Sequence, residues 1–180
     1  MFDDPLEMLT LCHEKVRRFA RLTDRIGEHV SKHGADDVAT EAAGKVLRYF
    51  NIAAPLHHDD EDLNVYPELL ALRDDVLDAG QKTVLNASIH RLQLEHDELA
   101  GLWREVRSWL EQIEQGNRVP APENLKRFAR TYVRHADDEE AEIYPFIRLL
   151  DNNILREIGR NMAERRGAKH TIQDDLPRCA

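Results

Sequence analysis

Several features that mark other protein classes are scarce or missing in this 180-residue sequence. Cysteine occurs only as Cys12 and Cys179, so a structural disulfide framework is not expected. No apolar run approaches the roughly 20 residues of a membrane-spanning helix. The N-terminus also lacks the apolar segment of a secretory signal. We therefore expect a cytoplasmic protein without a membrane partner.

Positive charge is also in short supply. The chain has 25 Lys and Arg against 34 Asp and Glu, which gives a formal net charge of −9 and a pI of about 5.5. Proteins that bind DNA or RNA hold the phosphates with clustered Lys and Arg side chains. The charge balance therefore argues against a nucleic-acid partner.

Glycine, with eight residues, is rare, and no run alternates convincingly between apolar and polar side chains. Both absences argue against β-strands, and the abundance of Ala, Leu, Glu and Arg favours helices. We expect an all-α, up-down-up-down four-helix bundle over residues 1–165, with a short additional C-terminal helix and a polar tail at 166–180. The predicted helices cover residues 5–33, 36–66, 68–79, 82–115, 123–143 and 152–165, with Pro67, Gly80 and Pro145 as helix ends.

The most informative feature that is present is a sequence motif that occurs twice, which we call the repeated phrase. Residues 57–67 and 135–145 share the pattern H-x-D-D-E-[DE]-x-x-[VI]-Y-P. In each copy a His and a Glu lie four residues apart, which places both side chains on one face of a helix, one turn apart. Two such pairs are what a two-metal site in a helical bundle requires.

The apolar stripe of each long helix contains one histidine, and two of the stripes also contain a glutamate. His58 falls off the stripe, so we expect it to have an exposed role. Burying four imidazoles and two carboxylates in one core is costly unless metal ions or a hydrogen-bonded network compensate. The side chains predicted to point inward are His13, His57, Glu61, His96, His135 and Glu139.

The donor set narrows the choice of metal. Imidazole and carboxylate ligands without thiolate suit iron, manganese or zinc. Six ligands are too many for one tetrahedral zinc ion but suit two octahedral ions, with positions left for a small ligand such as O2. The near-symmetry of the two halves assigns His13 and His57 to one metal, His96 and His135 to the other, and both glutamates to bridging positions.

At these residues, over about 1–150, the sequence resembles the hemerythrin-like family, also called the HHE cation-binding domain. The resemblance rests on one His in each of the first and third long helices and H-x-x-x-E in the second and fourth. It implies a four-helix bundle with a non-haem di-iron centre. From the donor set we expect an oxo or hydroxo bridge, with manganese or zinc as alternatives to iron. Members of the family carry or sense O2, handle iron or respond to oxidative stress. The resemblance assigns as metal ligands His13, His57, Glu61, His96, His135 and Glu139.

The third long helix departs from the O2-carrying members of this family. Those proteins have a second His one turn from the first, whereas this chain has Leu92 and Ala100 one turn to either side of His96. One nitrogen ligand fewer favours redox reactivity or sensing over reversible O2 carriage. Tyr132, one turn before His135, is a candidate to hydrogen-bond a bound oxygen species, or else a core residue with a satisfied hydroxyl.

Three functions therefore stay open. The first is a non-haem di-iron protein that binds or senses O2 or a related small oxidant such as NO or peroxide, or handles iron. The second is a di-iron or di-manganese oxidoreductase that removes peroxide or O2. The third is a metal-responsive regulatory or interaction module. The expected partner is a small molecule, and a homo-oligomer is left open.

Overall fold

A computed structural model describes residues 4–167, which form helices joined by short links and include no strand. Helix α1 spans Pro5–His33. Its N-cap residue Asp4 accepts a hydrogen bond from the amide of Leu6 at 2.9 Å, and Gly34, with φ at 82°, ends it. Both ends agree with the prediction. The predicted tail lies almost entirely outside the described residues.

The second long helical segment is continuous from residue 37 to residue 70 but changes type along its length. It consists of α2 (Asp37–Arg48), a π-helical turn (Tyr49–Ala53), α3 (Ala54–Asp60), a second π turn (Glu61–Val65) and α4 (Tyr66–Leu70). The two π turns flank α3, the segment that carries the first His of the repeated phrase.

A proline follows each π turn at the second position of the next helix, namely Pro55 in α3 and Pro67 in α4. Proline has no amide hydrogen, and its ring clashes with the carbonyl four residues earlier in a regular helix. A π turn widens the backbone at such an interruption. The prediction that Pro67 ends the helix is therefore wrong, because the helix continues to Leu70.

Helix α5 (Ala79–Glu114) begins earlier than predicted. Asp78 and Gln81 form a complete capping box, with the Asp78 carboxylate accepting from the Gln81 amide at 2.8 Å. Gly80 therefore lies in the first turn of α5 and ends no helix. The predicted helix over 68–79 is wrong for residues 71–78, which form turns and irregular backbone between α4 and α5.

The remaining helices are α6 (Leu125–Glu142), α7 (Tyr144–Ile147) and α8 (Asn152–Arg165). Helix α8 has the predicted bounds. Pro145 lies in the first turn of α7, and only Ile143 separates this helix from α6, whereas Pro145 was expected to end a helix. None of the described helices has the length and apolar character needed to cross a membrane.

Helix α1 packs against α2 and α6, and α5 also packs against α2 and α6, which confirms the predicted helical bundle. In the α1–α6 pair, Arg17 binds Asp137 while Gly27 lies against Leu125, so the two helices run in opposite directions. The up-down order of the whole bundle stays a prediction, with which these contacts agree.

The apolar core is divided into two clusters, and the predicted ligands lie between them. On α1, Leu9 belongs to one cluster and Val16 to the other, with His13 between. On α5, Leu92 and Leu99 belong to different clusters in the same way. A layer of polar side chains therefore crosses the bundle between two separate apolar cores.

Candidate metal centre

The structure brings all six predicted ligands into the polar layer, where each is at most 6% exposed. Together with His58 they form two groups, and the ligand atoms within each group lie within 4.8 Å of one another. The two-histidine position consists of His13, His57, Glu61 and Glu139. The three-histidine position consists of His58, His96 and His135.

Glu139 lies between the two positions. Its Oε2 is 3.0 Å from Nε2 of His13, and its Oε1 is 3.4 Å from Nε2 of His135. Glu61 is placed in a similar way, with Oε1 3.4 Å from Nε2 of His57 and Oε2 3.6 Å from Nε2 of His96. Each carboxylate therefore presents one oxygen to each position, an arrangement that suits a bridge between two metal ions.

His58 was expected to be exposed, and that expectation is wrong. Its ring stacks on that of His96 with the centroids 4.0 Å apart, and its Nε2 is buried without a hydrogen-bond partner. The stripe read along α2 still identifies His57 and Glu61, which are buried, but after the π turn Tyr49–Ala53 the buried residues also include Ala54, so the inward face of α3 is wider than the stripe. The sequence signal that could have indicated the position of His58 was the pair of adjacent histidines in the first copy of the repeated phrase.

Six buried polar atoms of this cluster have no hydrogen-bond partner among the described residues. Orphaned buried polar groups are rare and costly in native proteins. A hydrogen-bonded His and Glu network without metal would pair these atoms with one another. A bound cation fits better because each of these atoms has a free lone pair for coordination once the imidazoles are neutral. The atoms are Nδ1 of His57, Nε2 of His58, Oε1 and Oε2 of Glu61, Nε2 of His96 and Nε2 of His135.

Three of the imidazoles contact a carboxylate at their outer nitrogen. Because an ionised carboxylate only accepts hydrogen bonds, Nδ1 of each ring carries the proton. The contact fixes the ring orientation and leaves Nε2 directed into the cluster, as in many metal sites. The Nδ1-to-oxygen distances are 3.0 Å for His13 and Glu140, 2.9 Å for His96 and Asp62, and 3.2 Å for His135 and Glu95.

Two of these outer carboxylates are held in turn by arginine. Arg17 donates to Glu140 at 2.9 Å, and Arg91 donates to Glu95 at 2.9 Å. Asp62 has no such arginine among the described contacts, and its side chain is 32% exposed. Sequence reasoning missed all three carboxylates, because these contacts join residues at least 34 positions apart.

The histidines of the cluster differ in their pKa values. Burial lowers the pKa of His13, but its hydrogen bond to Glu139 and the nearby Glu61 carboxylate outweigh it and raise the pKa to about 10. Burial and the neighbouring imidazoles lower the pKa values of His57 and His58 well below the usual value. His57 and His58 are therefore neutral near pH 7, which is the form that binds a metal.

Two tyrosine hydroxyls contact the candidate ligands. Tyr66 donates a hydrogen bond to Oε1 of Glu139, and the Tyr144 hydroxyl lies 3.0 Å from Nδ1 of His13. Both belong to the Tyr-Pro ends of the repeated phrase. Tyr132, the sequence candidate, is also buried, with its ring 4.9 Å from that of Phe50 and 5.9 Å from that of His58.

Comparison with known proteins agrees with this geometry. The sequence model of the hemerythrin HHE cation-binding domain matches residues 4–147. A protein of Haemophilus influenzae, described as uncharacterized, is 33% identical over 169 residues, which is 93% of each chain. The residues matched by the domain include every candidate ligand and end before α8.

Proposed function

The chain belongs to the hemerythrin HHE cation-binding domain family, and we propose that its buried cluster holds two iron ions that bind O2 or a related small oxidant such as NO or peroxide. Cation binding is the property that the family implies, and the His and Glu cluster could hold a metal. The observation that carries the proposal is the set of six orphaned buried atoms, all of which belong to residues of the two ligand groups.

The chemistry of the donors supports iron. Imidazole and carboxylate ligands suit iron, manganese and zinc, whereas thiolate would favour softer metals. Cys12, although next to His13 in sequence, belongs to neither ligand group. When bound, iron supplies electrons for reaction with a small oxidant, which zinc does not.

His58 changes the count of nitrogen ligands. The sequence suggested two histidines for each metal and one nitrogen fewer than in O2-carrying relatives. With His58 in the cluster, the three-histidine position gains the nitrogen that Ala100 does not provide. If both glutamates bridge, the three-histidine position has five protein ligands and the two-histidine position has four. The small ligand is therefore proposed to bind at the two-histidine position.

The surrounding residues prepare the cluster for this role. Tyr66 donates to Glu139 and so fixes the orientation of a carboxylate that faces both positions. Glu140 and Glu95 hold the rings of His13 and His135. The two apolar clusters lie on either side of the layer and bury most of it. Preorganised ligands bind a metal with little rearrangement of the fold.

The first test is the metal content of the purified protein, measured together with its visible absorption spectrum in air. We expect about two irons per chain, as in other two-metal sites, with absorption bands of a bridged ferric pair. The double variant His57→Ala with His135→Ala is expected to lose the metal, and His90→Ala, an exposed histidine on α5, to retain it. Unchanged metal content in the double variant would refute the proposal.

A peroxide-removing oxidoreductase is the second candidate, and the two tyrosine hydroxyls favour it. Proton donors beside the ligands are what reduction of peroxide to water requires. The assay is O2 evolution from hydrogen peroxide by the iron-loaded protein, because disproportionation reduces one peroxide to water with the two electrons that a second peroxide loses when it becomes O2. Loss of turnover in Tyr66→Phe or Tyr144→Phe, with Tyr132→Phe compared in parallel, would favour this candidate over a carrier or sensor.

A further inference from the structure

Helix α8 lies outside the residues matched by the family domain, which end at 147. It is nevertheless part of the fold, since Ile158 and Met162 are buried in the same apolar cluster as Leu9 and Val65. The match to the Haemophilus influenzae protein covers 93% of this chain and so extends into α8. The family domain does not account for this helix, and its contacts suggest a role.

The last residues of α8 bind a buried carboxylate. The Asp60 side chain is fully buried and forms ion pairs with both Arg165 and Arg166, the latter at 2.5 Å. Arg165 also donates to Oδ1 of Asn64 at 2.9 Å. We call the set of Asp60, Arg165 and Arg166 the arginine clamp. A buried carboxylate is costly unless it is paired, so the clamp couples the end of α8 to α3.

The clamp lies beside candidate ligands on two helices. Asp60 directly precedes Glu61 and shares a helical turn with His57. Arg166 also reaches α1, where its Nη2 lies 3.9 Å from Sγ of Cys12, the residue before His13. Helix α8 therefore contacts α3 and α1 next to three of the four ligands of the two-histidine position.

The backbone of α3 explains why a contact from another helix would matter for its position. It is only seven residues long, and a π turn interrupts the regular hydrogen-bond pattern on each side of it. Such interruptions are sites where helices bend and change register. The rotation of α3 about its axis, which sets where His57 points, is therefore weakly fixed by its own backbone.

We propose that α8 is a positioning element of the metal centre. The arginine clamp holds α3 against α1, so that His57 and Glu61 meet His13 at the two-histidine position. This inference rests on the proposed function, because it requires that the cluster binds metal. A clamp that served the fold alone would change the stability of the metal-free protein but leave its metal affinity unaltered.

The test compares ferrous iron binding under anaerobic conditions by wild type, a clamp variant and a control. The clamp variant is Asp60→Asn with Arg165→Gln and Arg166→Gln, which leaves no buried charge unpaired. The control is Arg160→Gln, an exposed arginine of the same helix. We expect the clamp variant to bind one iron as wild type does and the other about 10–100-fold more weakly, the usual effect of losing support around a ligand.

The outcomes separate the two proposals. Two irons bound with wild-type affinity by the clamp variant would overturn the positioning role and leave the proposed function intact. No iron bound by wild type would overturn both. If circular dichroism shows that the clamp variant is unfolded, Arg165→Lys replaces it. That variant keeps the charge but loses the fork geometry, and it is expected to show a smaller selective loss, whereas wild-type binding would again overturn the inference.

Discussion

The two positions of the cluster differ in depth and in their ligands. The four side chains of the two-histidine position are at most 2% exposed and include both carboxylates. The three-histidine position has only imidazoles of its own, and its His58 is half-buried. The repeated phrase in the sequence therefore does not produce equivalent sites. One site is enclosed by the bundle and braced by α8, and the other lies closer to the surface.

The largest effect is expected from a substitution that affects both positions equally. Glu139 faces both positions, so Glu139→Ala is expected to abolish binding of both irons, whereas loss of a histidine affects mainly one. Metal analysis of the purified variant checks this. Glu142→Gln, which changes a partly exposed carboxylate on the same helix, is the control and should keep both irons. One iron retained by Glu139→Ala would show that this carboxylate serves a single position.

The next prediction separates the two positions by substituting neighbouring residues. His57→Ala is expected to weaken the two-histidine position, and His58→Ala the three-histidine position, each by about 10–100-fold or more. Titration with ferrous iron, followed by the spectrum of the remaining site, distinguishes them. If His58→Ala binds both irons like wild type, His58 is not a ligand and the count of nitrogens returns to four.

A smaller effect is expected from the outer carboxylates. Glu140→Gln removes the charge that orients His13, and Glu95→Gln removes the charge that orients His135. Each is expected to weaken its own position by about tenfold. Measuring both binding constants in both variants checks the assignment. An equal loss at both positions in each variant would mean that the two positions are not separate.

The last prediction concerns pH, which acts on both positions together. In the metal-free protein, burial lowers the pKa values of His13 and His96. Hydrogen bonds and charge from nearby carboxylates outweigh burial and raise both pKa values to about 10. Both rings are therefore protonated at pH 7, and a metal must displace a proton from each. Iron affinity is expected to rise with pH from 6 to 8, with protons released on binding. Calorimetry in buffers of different ionisation enthalpy counts them, and uptake without proton release would contradict this.

The sequence was sufficient to predict the fold and the site where the pattern that carries the prediction is local. The N-cap Asp4 and the stop at Gly34 predicted α1, and the histidine on each apolar stripe, with a glutamate on two of them, predicted which side chains share the polar layer. It was insufficient where the helix changes type. Between the π turns the inward face is wider than the stripe, so the stripe predicted His57 and Glu61 but not His58, and the helix continues past Pro67.

Contacts between distant residues were the other limit. His13 and Glu140 are 127 positions apart, and Asp60 and Arg165 are 105 positions apart. Acidic residues are so common in this chain that nothing in their spacing distinguishes the few that face an imidazole. Only the packing of α1, α3, α6 and α8 selects them.

The division of the apolar core by a polar layer has a consequence for cooperativity. Each apolar cluster is a small core of its own, and the layer between them contributes little hydrophobic attraction. Metal ions bound across that layer would join the four helices at mid-height, so that both halves melt together. Without metal, the halves are linked mainly by helix backbones, and local opening of one half need not require the other. Chelation is then expected to turn one sharp thermal transition into a broad or double one.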